Sequence, residues 1–247
     1  MPLTMCFWAA NHVTHNSQIQ LFATHPHECS YLAEKQATTV FVDPEAKIDR
    51  NIYSQLSESG FRRSGSHLYR PQCGSCQACI SVRVVVNDFS PTRNQKRCLK
   101  RNRDLDIVVV ESIDTDEHYL LYETYIQQRH SDGDMYPANR EQYRGFLTSA
   151  WHSTRYLEMR LNGQLIGVAV SDQLDNALSA IYTFFDCKQD KRSLGRFAVL
   201  HQIERAQTLG VKHLYLGYWI KQCEKMSYKT QYRPIEMLIE QQWLRLG

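Results

Sequence analysis

Apolar and polar positions alternate most plainly between residues 155 and 171. Residues 155–161 and 164–171 each show the period of two that marks a half-buried strand. Asn162-Gly163 between them is the dipeptide that closes a two-residue hairpin. Residues 177–185 continue as a third strand. After a polar loop over 187–193, apolar side chains recur at Val199, Ile203 and Ala206, one face of a helix that starts near Gly195 and is capped at Gly210. Strands over 213–216 and 235–243 complete this half.

The earlier half is more broken. A strand over 38–42 stops at Asp43-Pro44. Asp49 is an N-cap for a helix carrying Ile52 and Leu56 on one side and ending at Gly60. Residues 66–69 and 80–86 read as strands. Ser90-Pro91 supplies a cap followed by an N1 proline, and the helix runs on to about Asn102. A β-branched strand over 107–110 follows, then a helix over 117–130. The chain is thus expected to be α+β. It divides into a flexible lead-in (1–28), an N-terminal domain (29–110) and a C-terminal domain (111–247). The order hairpin, strand, loop, helix, strand in the last of these is similar to the GNAT-like acyltransferase fold, in which the acyl donor sits at the loop before the central helix.

Composition narrows the class. With 43% hydrophobic and 22% charged residues the chain is an ordinary globular one. No apolar run approaches the roughly 20 residues that span a bilayer, and the first residues lack the pattern of a signal peptide. A cytoplasmic location with no membrane partner is therefore expected. Eight cysteines in such a chain point to reduced thiols or a metal site rather than disulfides. The net charge of +3 conceals a local bias. Between Gly60 and Arg103 ten Lys or Arg face one acid, Asp88, so the rest of the chain is net negative. A basic face of this density is the footprint of a polyanion.

Four segments carry candidate chemistry. In TRNQKRCLKRNRD, the charges of Arg93, Lys96, Arg97, Lys100, Arg101 and Arg103 crowd one helix. Like charges one turn apart repel, and phosphates would relieve them; the plain alternative is a solvated surface helix. In GFRRSGSHLYRP, Arg62, Arg63, Tyr69 and Arg70 surround a tight turn, and guanidinium forks suit a carboxylate or phosphate; pairing with nearby acids would explain them equally well. In CGSCQAC, Cys73, Cys76 and Cys79 are close enough to grip a soft metal, with Cys29 among the candidates for a fourth ligand; zinc or an iron–sulfur cluster would suit them. Small buried thiols at turns are the competing account. In IYTFFDCKQDKRSLGRF, a strand end at Asp186 leads to a Ser193-Leu194-Gly195 turn at a helix N-terminus, which suits an anionic or ester-bearing donor. Asp186 can take a proton from an attacking amine, unless it is merely a turn residue.

Together these segments resemble one family, the aminoacyl-tRNA–protein transferases, and within it the bacterial leucyl-transferring branch. The stretches that carry the resemblance are CSYL (29–32), FVDP (41–44), YSQLSESGFRRSGSHLYRPQCGSCQACISVRV (53–84), SPTRNQKRCLKRNRDL (90–105), MYPANREQYRGFL (135–147) and SLGRFAVLHQIERAQTLGVKHLYLGYWI (193–220). The resemblance implies transfer of leucine from leucyl-tRNA to the α-amine of an N-terminal Asp or Glu, which marks the product for degradation. It also implies a GNAT-like catalytic half. On that basis Arg62, Arg63, Tyr69 and Arg70 are expected to hold the acidic acceptor and Asp186 and Tyr182 to lie near the amine. Ser193, Leu194 and Gly195 are expected near the aminoacyl end, with the basic helix on the tRNA. No cofactor is needed for the chemistry, since the ester is already activated. The eukaryotic arginyl relatives carry a CxxC and an adjacent cysteine pair linked to metal; this chain departs from that pattern. Arginyl-tRNA as donor is an alternative. So are a CoA-dependent N-acetyltransferase and a non-enzymatic RNA-binding module with a cysteine metal site.

Overall fold

Short turns and capped helices set the first elements of the computed structural model, which describes residues 19–133, 135–148, 151 and 153–247. These are β1 (Leu21–Ala23), β2 (His27–Glu28), β3 (Gln36–Ala37), β4 (Thr39–Val42), α1 (Arg50–Glu58), β5 (Arg62–Ser64) and β6 (His67–Pro71). Next come β7 (Ile80–Val85), α2 (Arg93–Arg101), β8 (Asp106–Val110), α3 (Asp116–Arg129) and α4 (Arg140–Leu147). The remainder comprises β9 (Thr154–Leu161), β10 (Gln164–Gln173), β11 (Ala177–Phe185), α5 (Leu194–Thr208), β12 (His213–Trp219), β13 (Ile235–Ile239) and β14 (Gln242–Leu246). The mixture is α+β.

Two sheets organise these elements. The small one runs β1-β4-β6-β5, and the large one runs β14-β13-β7-β12-β11-β10-β9-β8. Within the large sheet β11 and β12 are the parallel pair, and they are in register over only three residues, Ala177 to Ser179 against His213 to Tyr215. Beyond Ser179 the two strands part. Alternate residues of β10 feed opposite layers, and in β11 the extra residue Ile181, where Tyr182 pairs with Val170 but Ala180 with Ser171, switches the face of the residues after it. Ala169 and Leu178 join Phe197, Ala198 and Ile203 of α5 in one core. Val168, Val170 and Phe184 join Tyr122, Ile126, Tyr143 and Leu147 of α3 and α4 in the other. A third core, with Val40, Tyr53, Leu68 and Tyr215, joins the small sheet to the large one.

Several sequence-based expectations change. Residues 1–18 of the expected lead-in lie outside the described residues, but β1 within it is a strand, paired with β4 from Leu21 to Val42. A boundary at residue 110 would cut the large sheet, because β7 lies between β12 and β13 and β8 forms the far edge. The basic helix begins at Arg93. Thr92 caps it by accepting from the Gln95 backbone N–H, and the Gln95 side chain accepts from Thr92 in return. That reciprocal box satisfies two orphan donors, so Ser90-Pro91 stays outside the helix. The strand expected over 235–243 is a hairpin, since Glu240 and Gln241 both have positive φ (49° and 64°). The hairpin at Asn162-Gly163 forms as read, with φ of 51° and 84°. β5 and α4 are among the elements that leave no mark in the pattern. β5 has no apolar alternation, and α4 is only eight residues long. Gly65, which turns β5 into β6 with φ +61°, lies so close to α4 that a Cβ would stand 2.4 Å from the Gly145 carbonyl.

Candidate active site

Strand alternation separates the adjacent Arg62 and Arg63, and each enters a different environment. Arg63 is committed. Its Nε and Nη2 donate to Asp172 at 2.5 and 3.1 Å, with both side chains at zero exposure. Its Nη1 donates to the carbonyls of Gly65 and Thr148. Asp172 also accepts from Tyr53 Oη at 2.8 Å and Thr154 Oγ1 at 2.7 Å. Four of its five N–H groups are thus engaged and the side chain has no exposure, so in this arrangement it offers a ligand carboxylate no approach. Against the expectation that it holds the acceptor, Arg63 fastens the β5–β6 turn and the end of α4 to β10.

Arg62 differs. It is 5% exposed. Its Nη1 donates to the carbonyls of Ser57 and Phe61, its Nη2 to Ser81 Oγ, and its face lies 4.4 Å from the centre of the Tyr215 ring. Its buried Nε has no partner. Nearby, Tyr69 and Tyr218 pack at 6.0 Å, and Tyr218 Oη donates to the carbonyls of Gly60 and Tyr69. Arg70 donates to the Ser59 carbonyl and Gln72 Oε1, and its guanidinium lies over Phe61. Burial pushes the Tyr69 hydroxyl up to about 12 and holds Arg70 below its ordinary value. The structure thus brings Arg62, Tyr69 and Arg70 into one neighbourhood. Lys229, absent from the sequence-based candidates, joins them: its buried ammonium donates to the Tyr218 carbonyl. It lies in a segment without periodicity, and no sequence signal marks it.

Past the point where β11 leaves β12, β11 presents Tyr182 to the α3–α4 layer. The ring meets Phe146 at 5.2 Å and Tyr125 at 6.3 Å, and its buried hydroxyl has no partner. Burial raises that hydroxyl far above its usual range, so it stays protonated. Asp186, at the end of the strand, accepts the Lys188 N–H at 3.0 Å and so caps the 3-10 turn Cys187–Arg192. Ser193 then adopts φ 56° and ψ 49° and makes no side-chain cap bond, which leaves its hydroxyl away from the first N–H groups of α5. Leu194 is 1% exposed and belongs to the core. Against the expectation that it meets the donor, Leu194 anchors the start of α5 in the core, with Ser193 and Gly195 on either side.

The basic helix lies against this loop. Asn102 Nδ2 donates to the Arg192 carbonyl at 2.9 Å, Arg101 donates to the Lys191 carbonyl, and Arg192 pairs with Asp104 at 2.8 Å. On the outward face, Arg93, Lys96, Arg97 and Lys100 follow at i, i+3, i+4 and i+7 and line a shallow hollow of about 360 Å³. None of the four has a carboxylate partner among the described residues. Arg103 turns to a separate groove between α2 and α5. The six charges therefore do not act as one set.

Cys29, Cys73, Cys76 and Cys79 share one neighbourhood, and burial with the other three thiols raises Cys79 to about 11. Cys73 and Cys76 face each other across an isolated bridge. Among the described residues, however, no three His, Cys, Asp or Glu side chains stand where a single metal ion could be held. The thiols as arranged do not fit a metal or cluster. No helix among the described residues is long and apolar enough to cross a membrane.

A cationic helix braced against a helix N-terminus, next to a second cluster of buried cations, suits a transferase that handles a polyanionic donor. Two family models match, described as arginine-tRNA-protein transferase, N terminus, over residues 27–97 and C terminus over residues 117–239. The chain belongs to the arginine-tRNA-protein transferase family. Its relatives include the aspartate/glutamate leucyltransferase of Saccharophagus degradans, 59% identical over 94% of this chain and 99% of that one. The enzymes of that name from Teredinibacter turnerae and Pseudomonas fluorescens are 57% and 53% identical. Each comparison covers 95% of this chain, and 97% and 100% of theirs. Among solved structures, L-PGS from Bacillus licheniformis matches with a TM-score of 0.44 and 10% identity over 58% of this chain and 46% of that one. That likeness is too distant to define the fold.

Proposed function

We propose that the protein moves leucine from leucyl-tRNA to the α-amine of proteins that begin with Asp or Glu, in the cytoplasm, and so marks them for degradation. The observation that carries this reading is the near full-length likeness to enzymes named aspartate/glutamate leucyltransferase. The family models are named for arginine, and leucine as donor rests on those relatives.

In the reaction, the acceptor's α-ammonium loses a proton and its nitrogen attacks the ester carbonyl of the aminoacyl-tRNA. The amide bond forms, the ester C–O bond breaks, and the ribose oxygen of the tRNA leaves as a hydroxyl. The ester's own free energy drives the step, so the reaction takes no cofactor and needs no covalent enzyme intermediate. The protein's work is to hold two substrates in register, which supplies several kcal/mol. Arg93, Lys96, Arg97 and Lys100 bind the tRNA backbone in this reading. Ser193 and Gly195, at the start of α5, receive the aminoacyl end. Asp186 retains one oxygen free of its cap bond to accept the amine's proton, and the unpartnered Tyr182 hydroxyl can donate to the substrate. Arg62, Tyr69 and Arg70 hold the acidic acceptor. The parting of β11 from β12 beside α5 supports a GNAT-like arrangement of this half.

The test is transfer by purified protein from separately charged leucyl-, arginyl- and phenylalanyl-tRNA to peptides beginning with Asp, Glu, Lys or Ala. Leucine appearing on Asp and Glu peptides alone is the expected result. Arginine on the same peptides would correct the donor, and no transfer from any of the three would sink the reading.

A further inference from the structure

Three arginines are nearly sealed from solvent, Arg62, Arg63 and Arg83. Two of them are neutralised: Arg63 by Asp172, and Arg83 by Glu58 and Glu236. Arg62 is the exception. It meets two carbonyls, a hydroxyl and an aromatic face, and its Nε is orphaned. Beside it stands a second buried cation, Lys229, at 9% exposure. Lys229 lies in the 3-10 segment Glu224–Gln231, which packs on β12. Its Nζ donates to the Tyr218 carbonyl and stands 6.0 Å from the centre of the Tyr228 ring. The charged and titratable groups that face it are Arg62 and Cys223, along with Tyr218 and Tyr228. Arg70, near Tyr218, also lacks an acid. Among the described residues no Asp or Glu pairs with any of these three cations.

Unpaired charge out of water is costly, and proteins seldom keep two such groups together without something to neutralise them. An anion is the group that would neutralise both. Gly217 shapes the place it would occupy. At φ +80°, where the register of β12 against β7 shifts, it has no side chain, and a Cβ there would stand 3.6 Å from Lys229 Nζ. Arg62 is tied by three hydrogen bonds, whereas Lys229 is held by one carbonyl on a flexible stem.

We propose that Lys229, together with Arg62, forms a cationic seat beside Gly217 for the side-chain carboxylate of the acceptor's N-terminal Asp or Glu, and that Lys229 reads the acceptor's charge. This rests on the acceptor class proposed above. A lysine suits the task because it is a compact point charge on a mobile chain. It can follow a carboxylate across the one-methylene difference between Asp and Glu, which a locked guanidinium fork cannot.

The experiment measures transfer to peptides beginning with Asp, Glu, Asn and Gln, which differ in charge at nearly constant shape. With Lys229→Met, the preference for Asp over Asn is expected to fall about tenfold or more. The change should appear in the peptide KM, with the Kd for leucyl-tRNA unchanged. Lys229→Arg is expected to keep the preference for acid over amide. A folded Lys229→Met protein that retains the wild-type Asp/Asn ratio overturns the proposal. A measurement on the wild type guards against misfolding of that variant. The ratio of KM for Glu and Gln peptides is expected to rise from pH 7 to 9.5, as Lys229 loses its proton, while titration of the peptide amine cancels in the ratio. A flat ratio overturns the seat while leaving the transfer reaction in place. Wild-type protein inactive toward all four peptides would overturn the function and the seat together.

Discussion

The side-chain amide of Asn102 donates to the carbonyls of Cys98 and Arg192, each at 2.9 Å, and so joins the C-terminal end of α2 to the last residue of the loop before Ser193. Arg192 answers by donating to the Arg101 carbonyl and pairing with Asp104. The helix with the outward cationic face and the loop that leads into α5 are thereby one mechanical unit. Asn102→Ala would leave a buried carbonyl with fewer partners, a cost of about 1–3 kcal/mol. The expected outcome is a lower melting temperature and a transfer rate reduced about tenfold at saturating leucyl-tRNA, with tRNA affinity intact. A thermal melt and single-turnover transfer check it; an unchanged rate would show that the loop's position is set elsewhere.

The outward face predicts a salt signature. Arg97→Glu with Lys100→Glu is expected to weaken leucyl-tRNA binding, and to flatten the plot of log Kd against log salt by roughly one unit for each phosphate that is no longer neutralised. Titrations at three salt concentrations read the slope. Reversing Arg103, which faces a different groove, is expected to leave it nearly unchanged.

Asp172→Asn tests whether Arg63 holds the structure or a substrate. It removes the charge opposite a guanidinium with no exposure, a change that costs about 3–5 kcal/mol when a buried ion is left unpaired. Urea unfolding should show that loss. Transfer to Asp and Glu peptides should decline together and in proportion to the folded fraction. A selective loss with one acceptor would return Arg63 to the binding site.

How much of this was legible depends on the range of the interactions. Asp49 announced α1 because a cap bond spans three residues, Asp49 Oδ1 to the Ile52 N–H at 2.8 Å. Asn162-Gly163 announced its hairpin because the turn's backbone conformation is local. The density of charge on α2 was plain, but the division of its six cations into an outward four, a loop-bound Arg101 and a groove-facing Arg103 was not, since it depends on α5 packing alongside. Arg62 and Arg63 look alike as neighbours in sequence. They part because one meets Asp172 and the other Ser81 and Tyr215, all brought by distant strands. Lys229 acquires meaning only through Arg62, and no pattern within its own segment could supply that.

Burial and the nearby Arg62 guanidinium lower Lys229 to about 8, from 10.5 in an exposed lysine. Between pH 8 and 10 this group therefore releases a proton in the folded protein that the unfolded chain retains, and its contribution to stability without substrates rises with pH across that window. Cys79 and the buried tyrosines hold protons that the unfolded chain releases and so work the other way. Denaturant midpoints at pH 7.5, 8.5 and 9.5 are therefore compared between wild type and Lys229→Met, and the difference is expected to shift in favour of the wild type as pH rises. A constant difference would assign the proton to another group.

The place of β7 bears on how the protein is made. A ribosome delivers β7 well before β12 and β13, the two strands that flank it. Until both have emerged, the nascent chain carries a strand of Ile, Ser, Val, Arg, Val and Val with bare edges on either side. Such an edge is a template for pairing with other chains. Separate production of the segments matched by the two family models would make that exposure permanent, since β7 lies in the first and β12 and β13 in the second. The large sheet can therefore close around β7 only late in synthesis, once β12 and β13 have both emerged.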